Sequence, residues 1–458
     1  MYKISIAFIL LYFYSIGLPQ AQIVEYSLDG NTIRQNEHNI ETIGHEFFIS
    51  IGLFSGGALR TGQSFFINNN QNSFYPASNV TSTVEKSNTM NKWFTLTNNN
   101  QVIIGYNSVT GATDNGYFDM HYKLNNIKNY AWKAGLYYTD LYFSLVNINL
   151  FSYITPEYKR LQINVPGFID LMVPINQYKL TIDNFHFFRQ GFESQLVNNI
   201  SAVHSLPYNF SIKSFSNLFN YTEDNVSVIN STSPVSALQV KNTLPNNSAY
   251  YRLSNNYQQL DARAIPVGNT STYQQQFFIS SNDLKQYFLN KGTYSNSLQY
   301  QLISSNPDYP LTKNLNLNLS IEVPDLSELF VSQDQVDLVF DDRNDYQQGV
   351  SKEIKNHITV SKTSGFHVSV KANSPYFQLG SSRIPVSILS IGPAQGETKV
   401  LNISNLSTVN QILINSDQAV LDQNYDIKYS IAPEQVPSFL ASPKGTYSTT
   451  LTYTITAH

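Results

Sequence analysis

The sequence predicts an all-β fold made of three tandem immunoglobulin-like, Greek-key β-sandwich modules. Three observations carry this expectation. Apolar residues recur at every second position over long stretches. Two blocks of sequence return along the chain at a spacing close to one domain length. Charged side chains are scarce, whereas aromatic ones are plentiful.

The alternation is strict. Leu315, Leu317, Leu319, Ile321 and Val323 are interleaved with Asn314, Asn316, Asn318, Ser320 and Glu322. Leu451, Tyr453 and Ile455 are interleaved with Thr450, Thr452, Thr454 and Thr456. A period of two over such a length puts one face of a strand in a core and the other in water. Val336, Leu338 and Phe340 obey the same rule, as do Phe366, Val368 and Val370. Clusters of Asn, Gly, Ser and Pro end these runs. Helical candidates are short: Ser281 to Asn290 and Pro433 to Leu440 occupy equivalent places in the repeat, and sandwiches are the architecture such a pattern favours.

The repeat sets the number of modules. Residues 165–213 match 323–371 without a gap, at the offset of 158 that separates Val165 from Val323, with 13 of 49 positions identical. Val165-Pro166 returns as Val323-Pro324, Leu180 and Asp183 as Leu338 and Asp341, and Gln190-Gly191 as Gln348-Gly349. A second block, Lys291-Gly292-Thr293-Tyr294-Ser295, returns as Lys444-Gly445-Thr446-Tyr447-Ser448, with a fainter copy at Gly135-Leu136-Tyr137. A glycine two residues before a tyrosine suits a tight corner whose hydroxyl bonds back to the chain. The expected units are 22–157, which is divergent, and the siblings 158–316 and 317–458. Tyr153 to Glu157 and Ser304 to Pro310 are the expected linkers.

Composition narrows the class. A chain of 458 residues suits about three domains of roughly 150 residues each. Hydrophobic residues make up 41% and charged ones 13%, with 31 Tyr and 28 Phe, which favours half-buried strands over solvated helices. The net charge of −4 gives no argument for nucleic acid or for anionic membranes as partners. Residues 1–21 read as an export signal: Lys3 is the positive start, Ile4 to Ile16 the apolar core, and Gly17 to Ala21 the cleavage region. An N-terminal anchor is the alternative, but the apolar run is shorter than the ~20 residues a span needs. No later segment reads as a membrane-crossing helix. With no cysteine, disulfides, thiolate metal sites, Cys nucleophiles and a lipid-bearing Cys are all excluded. An exported chain without disulfides fits a bacterial envelope.

No catalytic, cofactor or metal constellation stands out. His45-Glu46 lacks a second zinc ligand one helical turn on. Gly52-Leu53-Phe54-Ser55-Gly56 lacks the Gly-x-Ser-x-Gly spacing of a nucleophile elbow. Asp341, Asp342, Asn344 and Asp345 offer oxygens to a hard cation such as Ca²⁺, or form a solvated turn. Trp93, Trp132 and Tyr138 are the candidate binding residues, because exposed aromatics stack on sugars. The competing reading makes Trp132 and its neighbours core, since Gly135 and Tyr137 belong to the shared corner.

The segment from Pro443 to Ile455, with its Gly-x-Tyr block, resembles the closing strand of spore-coat-U-like and other chaperone–usher pilin domains. That resemblance implies immunoglobulin-like modules exported to a bacterial surface and a partner joined by strand addition. The expected function is an exported surface or fimbria-associated structural and adhesive protein, not an enzyme. Its first module would be the binding end, meeting a surface glycan or protein, and the other two a stalk. The alternatives are a secreted carbohydrate-binding module array and a secreted hydrolase with a dispersed site.

Overall fold

The computed structural model describes residues 22–458 except 50–55, 69, 71, 87, 105–113, 147–152, 173–175, 224–225, 229–232, 243–248, 261–266 and 268–270. The export-signal segment 1–21, the stretch Gly52 to Ser55 and the side chains of His45 and Glu46 lie outside the described residues.

Three of the four alternating runs form strands, whereas Val336 to Phe340 lies in a segment to which no strand is assigned; the strands form three sandwiches, each around its own apolar core. The first uses β1 (Gln22–Ser27), β2 (Glu37–Ile49), β3 (Gly56–Thr61), β4 (Val80–Lys86), β5 (Gln101–Ile104), β6 (Asp114–Asn125), β7 (Gly135–Val146), β8 (Tyr153–Thr155) and β9 (Tyr158–Val165). One sheet runs β1-β9-β7-β3-β5 and the other β8-β2-β6-β4, with shorter strands at the margins.

The second sandwich uses β10 (Ile169–Met172), β11 (Gln177–Thr181), β12 (Val197–His204), β13 (Tyr208–Ser214), β14 (Leu238–Asn242), β15 (Ser271–Ile279), β16 (Gly292–Ser304) and β17 (Thr312–Val323). Its sheets run β10-β12-β15-β14 and β11-β17-β16-β13. The third uses β18 (Ser327–Val331), β19 (Val350–Lys362), β20 (Phe366–Ala372), β21 (Leu389–Pro393), β22 (Gln411–Ser416), β23 (Val420–Ile431) and β24 (Leu451–Ala457), in sheets β18-β19-β23-β21 and β22-β20-β24.

The pairing corrects the expected junctions. Strand β9 runs parallel to β1 and antiparallel to β7, so residues 158–165 close the first sandwich and do not open the second. Strand β17 runs parallel to β11 and antiparallel to β16, so 312–323 close the second. Both divisions therefore fall after the closing strand, at Val165-Pro166 and Val323-Pro324, where the long sequence match begins. The expected linkers change with them: Tyr153–Thr155 is a strand paired with β2, and Ser305–Leu311 is the turn between β16 and β17.

The three corners have one geometry. Gly135, Gly292 and Gly445 have φ of 131°, 145° and 149°, a region that side-chain-bearing residues avoid. A Cβ at Gly292 would stand 2.6 Å from the Thr222 carbonyl oxygen. The hydroxyls of Tyr294 and Tyr447 donate to the carbonyls of Asn290 and Pro443, each at 3.0 Å, and the Tyr137 hydroxyl accepts from the Lys133 amide at 3.0 Å. Each tyrosine thus bonds back four residues. The short helices preceding two of these corners are Ser281–Tyr287 and the 3₁₀ segment Pro433–Ser438.

Side chains tie the sandwiches together. Arg34 meets Asp170 at 2.6 Å across the first junction. Arg189 meets Asp422 at 2.7 Å and Glu328 at 2.6 Å across the second, where Leu421 also packs on the second core. Among the described residues, no helix is long and apolar enough to cross a membrane.

Candidate functional site

The residues singled out from the sequence do not gather into one site. Trp132 is 1% exposed, donates from Nε1 to the Ile127 carbonyl at 2.9 Å, and packs 4.6 Å from the Tyr75 ring. It belongs to the core and offers no platform for a sugar. Tyr138 is half-buried on the outer face of β7, with the Arg160 guanidinium 4.6 Å from its ring centre. Trp93 is 41% exposed, in the bend between two short strands that pair with β4 of the opposite sheet.

The acidic cluster is a helix cap. Asp342 accepts from the amides of Asn344 and Asp345 at 2.8 and 3.1 Å, while Asp345 accepts from the amides of Asp341 and Asp342 at 2.7 and 3.1 Å. This reciprocal arrangement starts the helix Arg343–Gln348. Its counterpart in the second sandwich, Asn184, caps Phe185–Gln190 through a 2.8 Å bond from His186. No group of three or more His, Cys, Asp or Glu that could hold a metal ion occurs among the described residues.

The feature that the sequence reading missed is a difference between siblings. In the first sandwich β9 lies between β1 and β7, and in the second β17 lies between β11 and β16. In the third, the counterpart of β11 is segment 335–340, to which no strand is assigned, and the counterpart of β16 includes β24. Strand β24 pairs with β20 on one side. Among the described residues, no strand pairs with its other edge, and none pairs with 335–340.

Burial follows the pairing. In the second sandwich Tyr178 and Leu180 are 4% exposed, Ile182 0%, and Leu298, Tyr300 and Leu302 at most 1%, because Leu317, Leu319 and Ile321 of β17 fill the gap between them. Their counterparts Val336, Leu338, Phe340, Leu451, Tyr453 and Ile455 are only half-buried. Alternation is kept, since Asp337 and Val339 are exposed between the half-buried positions. Among the described residues, these two half-buried apolar rows, each without a backbone partner on the side where β17 lies in the second sandwich, form an apolar groove suited to accept an extended strand by main-chain hydrogen bonds and side-chain burial.

Polar groups line the back of this groove. The His357 Nε2 lies 2.8 Å from the Tyr429 hydroxyl, which in turn contacts the Tyr453 hydroxyl, while His357 Nδ1 lies 3.4 Å from Ser332 Oγ. Burial pushes the Tyr429 hydroxyl up to about 12. Burial, and then the neighbouring Tyr429, raise Tyr453 well above the usual phenol value. Burial holds His357 below the ordinary imidazole value. All three groups are therefore neutral near pH 7, which suits a groove whose occupant brings apolar side chains.

No protein-family model and no curated protein matches the sequence. Among solved structures, the chain is similar to CfaE, the adhesive subunit of CFA/I fimbria of enterotoxigenic Escherichia coli, at 7% identity and a TM-score of 0.28, over 67% of this chain and 99% of that one. The CsuC–CsuE chaperone–tip adhesion subunit pre-assembly complex from archaic chaperone-usher Csu pili of Acinetobacter baumannii gives 10% identity and a TM-score of 0.31, over 62% of this chain and 99% of that one. Mouse clustered PcdhgC3 EC1-3 gives 10% and 0.25, over 75% and 83%. At these scores the overlaps carry no argument about function, which rests on the strand pairing within the chain.

Proposed function

We propose that this chain is an exported, surface or fimbria-associated structural and adhesive protein that joins its assembly through strand addition to the third sandwich. One observation carries the reading. The place between the two wall segments holds a strand in two sandwiches, whereas in the third no described residue fills it and its walls are apolar and half-buried. The first two sandwiches, each with its own closing strand and joined by the Arg34–Asp170 contact, serve as a rigid spacer and contact end. The role is structural, not catalytic. A ligand for the first sandwich, a surface glycan or protein, would meet the exposed Trp93 and the half-buried Tyr138. Loss of glycan-array binding in the full chain carrying Trp93→Ala or Tyr138→Ala tests that part.

The groove is tested by adding a strand in cis. A copy of the Thr312–Val323 sequence is appended after His458 through a flexible linker, which raises its local concentration to about the millimolar range. The expected result is slower hydrogen exchange at amides 451–457 and a later urea midpoint for the third sandwich alone. Unchanged exchange and an unchanged midpoint would overturn the reading.

A further inference from the structure

The two sibling sandwiches differ in the charge of the wall against which the closing strand lies. In the second sandwich, β11 runs parallel to β17 with Tyr178 opposite Leu319, Leu180 opposite Ile321 and Thr181 opposite Glu322. On the outward side of this pair, the Lys179 ammonium forms an ion pair with the Glu322 carboxylate. The constant offset of 158 puts Asp337 where Lys179 stands and Asp334 where Asn176 stands. A cation and an amide have become two carboxylates. Asp337 is exposed and accepts one hydrogen bond, from the Gln335 side chain at 3.0 Å. The facing wall supplies little compensation: Thr446, counterpart of the Thr293 that stands opposite Glu322, is uncharged, and Lys444 sits at the corner.

From this reversal we infer that the strand taken up by the third sandwich carries a lysine or arginine at the outward position beside Asp337, the position that Glu322 holds in β17. The inference rests on the groove reading above and adds a partner chemistry to it. The occupant is an extended segment with large apolar residues at alternate positions, running antiparallel to β24 and parallel to 335–340, and with a cation on its wet face. The same charges work against the chain's own closing sequence. A glutamate beside Asp337 places like charges side by side on neighbouring strands, which is unfavourable. Specificity then comes from the repelled strand as much as from the attracted one. It weakens the hold of the third sandwich on β17 of another copy and favours a basic partner.

The test uses the full chain and two synthetic peptides of the 12-residue sequence Thr312–Val323, one unchanged and one with Glu322→Lys. Affinity is measured at low and at high salt, and hydrogen exchange at 451–457 reports the place of binding. Exposed ion pairs are individually weak. Exchanging repulsion for attraction should nevertheless favour the lysine peptide by about 3- to 10-fold at low salt, with the preference shrinking above roughly 0.5 M. Asp337→Lys should invert the preference, and Asp337→Asn should abolish it; these are substitutions at an exposed position. Equal binding of both peptides, unaffected by either substitution, overturns the charge inference and leaves the groove standing. Failure of both peptides to protect 451–457 overturns the groove and the inference together.

Discussion

Leu298 and Leu451 occupy the same place in two sibling sandwiches, one with a closing strand and one without. Replacing each by alanine compares burial directly. Leu298 is 0% exposed beneath Leu317, so Leu298→Ala removes a fully packed side chain and leaves a cavity. Such changes cost about 2–5 kcal/mol. Leu451 is half-buried and already loses contact on its open side. Leu451→Ala should cost roughly half as much, about 1–2 kcal/mol. Once the appended Thr312–Val323 strand occupies the groove, the cost of Leu451→Ala should climb into the range of Leu298→Ala. The measurement is a urea titration of the full chain followed by hydrogen exchange in each sandwich separately, because a three-module chain does not unfold as one transition. Equal costs in the unmodified chain would refute the argument that the third core is incompletely covered. So would a Leu451→Ala cost that ignores the added strand.

Two further outcomes follow from the geometry. Tyr294→Phe removes the bond to the Asn290 carbonyl, and Tyr447→Phe the one to Pro443; each should lower the stability of its own sandwich, read from its urea unfolding, by about 0.5–1.5 kcal/mol and leave the other untouched. His357 stays neutral in the fold because burial lowers its pKa, whereas the unfolded imidazole takes up a proton near pH 6.5. The unfolded state then binds more protons, so the third sandwich should lose stability as pH falls from about 6.5 towards the folded value. His357→Asn should flatten that slope, and an identical slope in the variant would count against this assignment.

Much of the fold was legible because it depends on local pattern. The alternation of Leu315 to Val323 and of Leu451 to Ile455 told which side chains point inward, and both runs became strands, while Val336 to Phe340 keeps the same alternation of burial without a strand partner among the described residues. The Gly-x-Tyr corners and the short helical segments from Ser281 and Pro433 were legible for the same reason: glycine geometry and capping act within a few residues. Strand membership was not. Period-two alternation states which face is buried and says nothing about which edge the strand joins. That choice is settled by partners such as Leu180 for Ile321, far apart in sequence, so Tyr158–Val165 and residues 317–323 were assigned to the wrong sandwich. The groove was hidden for the same reason, since it is a matter of which strand pairs with which. Trp132 misled because an aromatic cluster beside a corner reads equally as platform or as core. The carboxylates from Asp341 to Asp345 left two readings open because a capping box and a cation loop share the same residue types.

The closing strands also have a mechanical consequence. Each runs almost directly into the next sandwich: Pro166 to Phe168 separate β9 from β10, and Pro324 to Leu326 separate β17 from β18. Tension on the chain must therefore leave the second sandwich through β17, which is stitched to β16 over twelve register pairs and to β11 over five. A pull along that strand loads the whole seam at once, so the spacer resists stretching with its longest set of bonds. The last sandwich draws its resistance from whatever strand arrives, and the tensile strength of the attachment is set by the newcomer as much as by this chain.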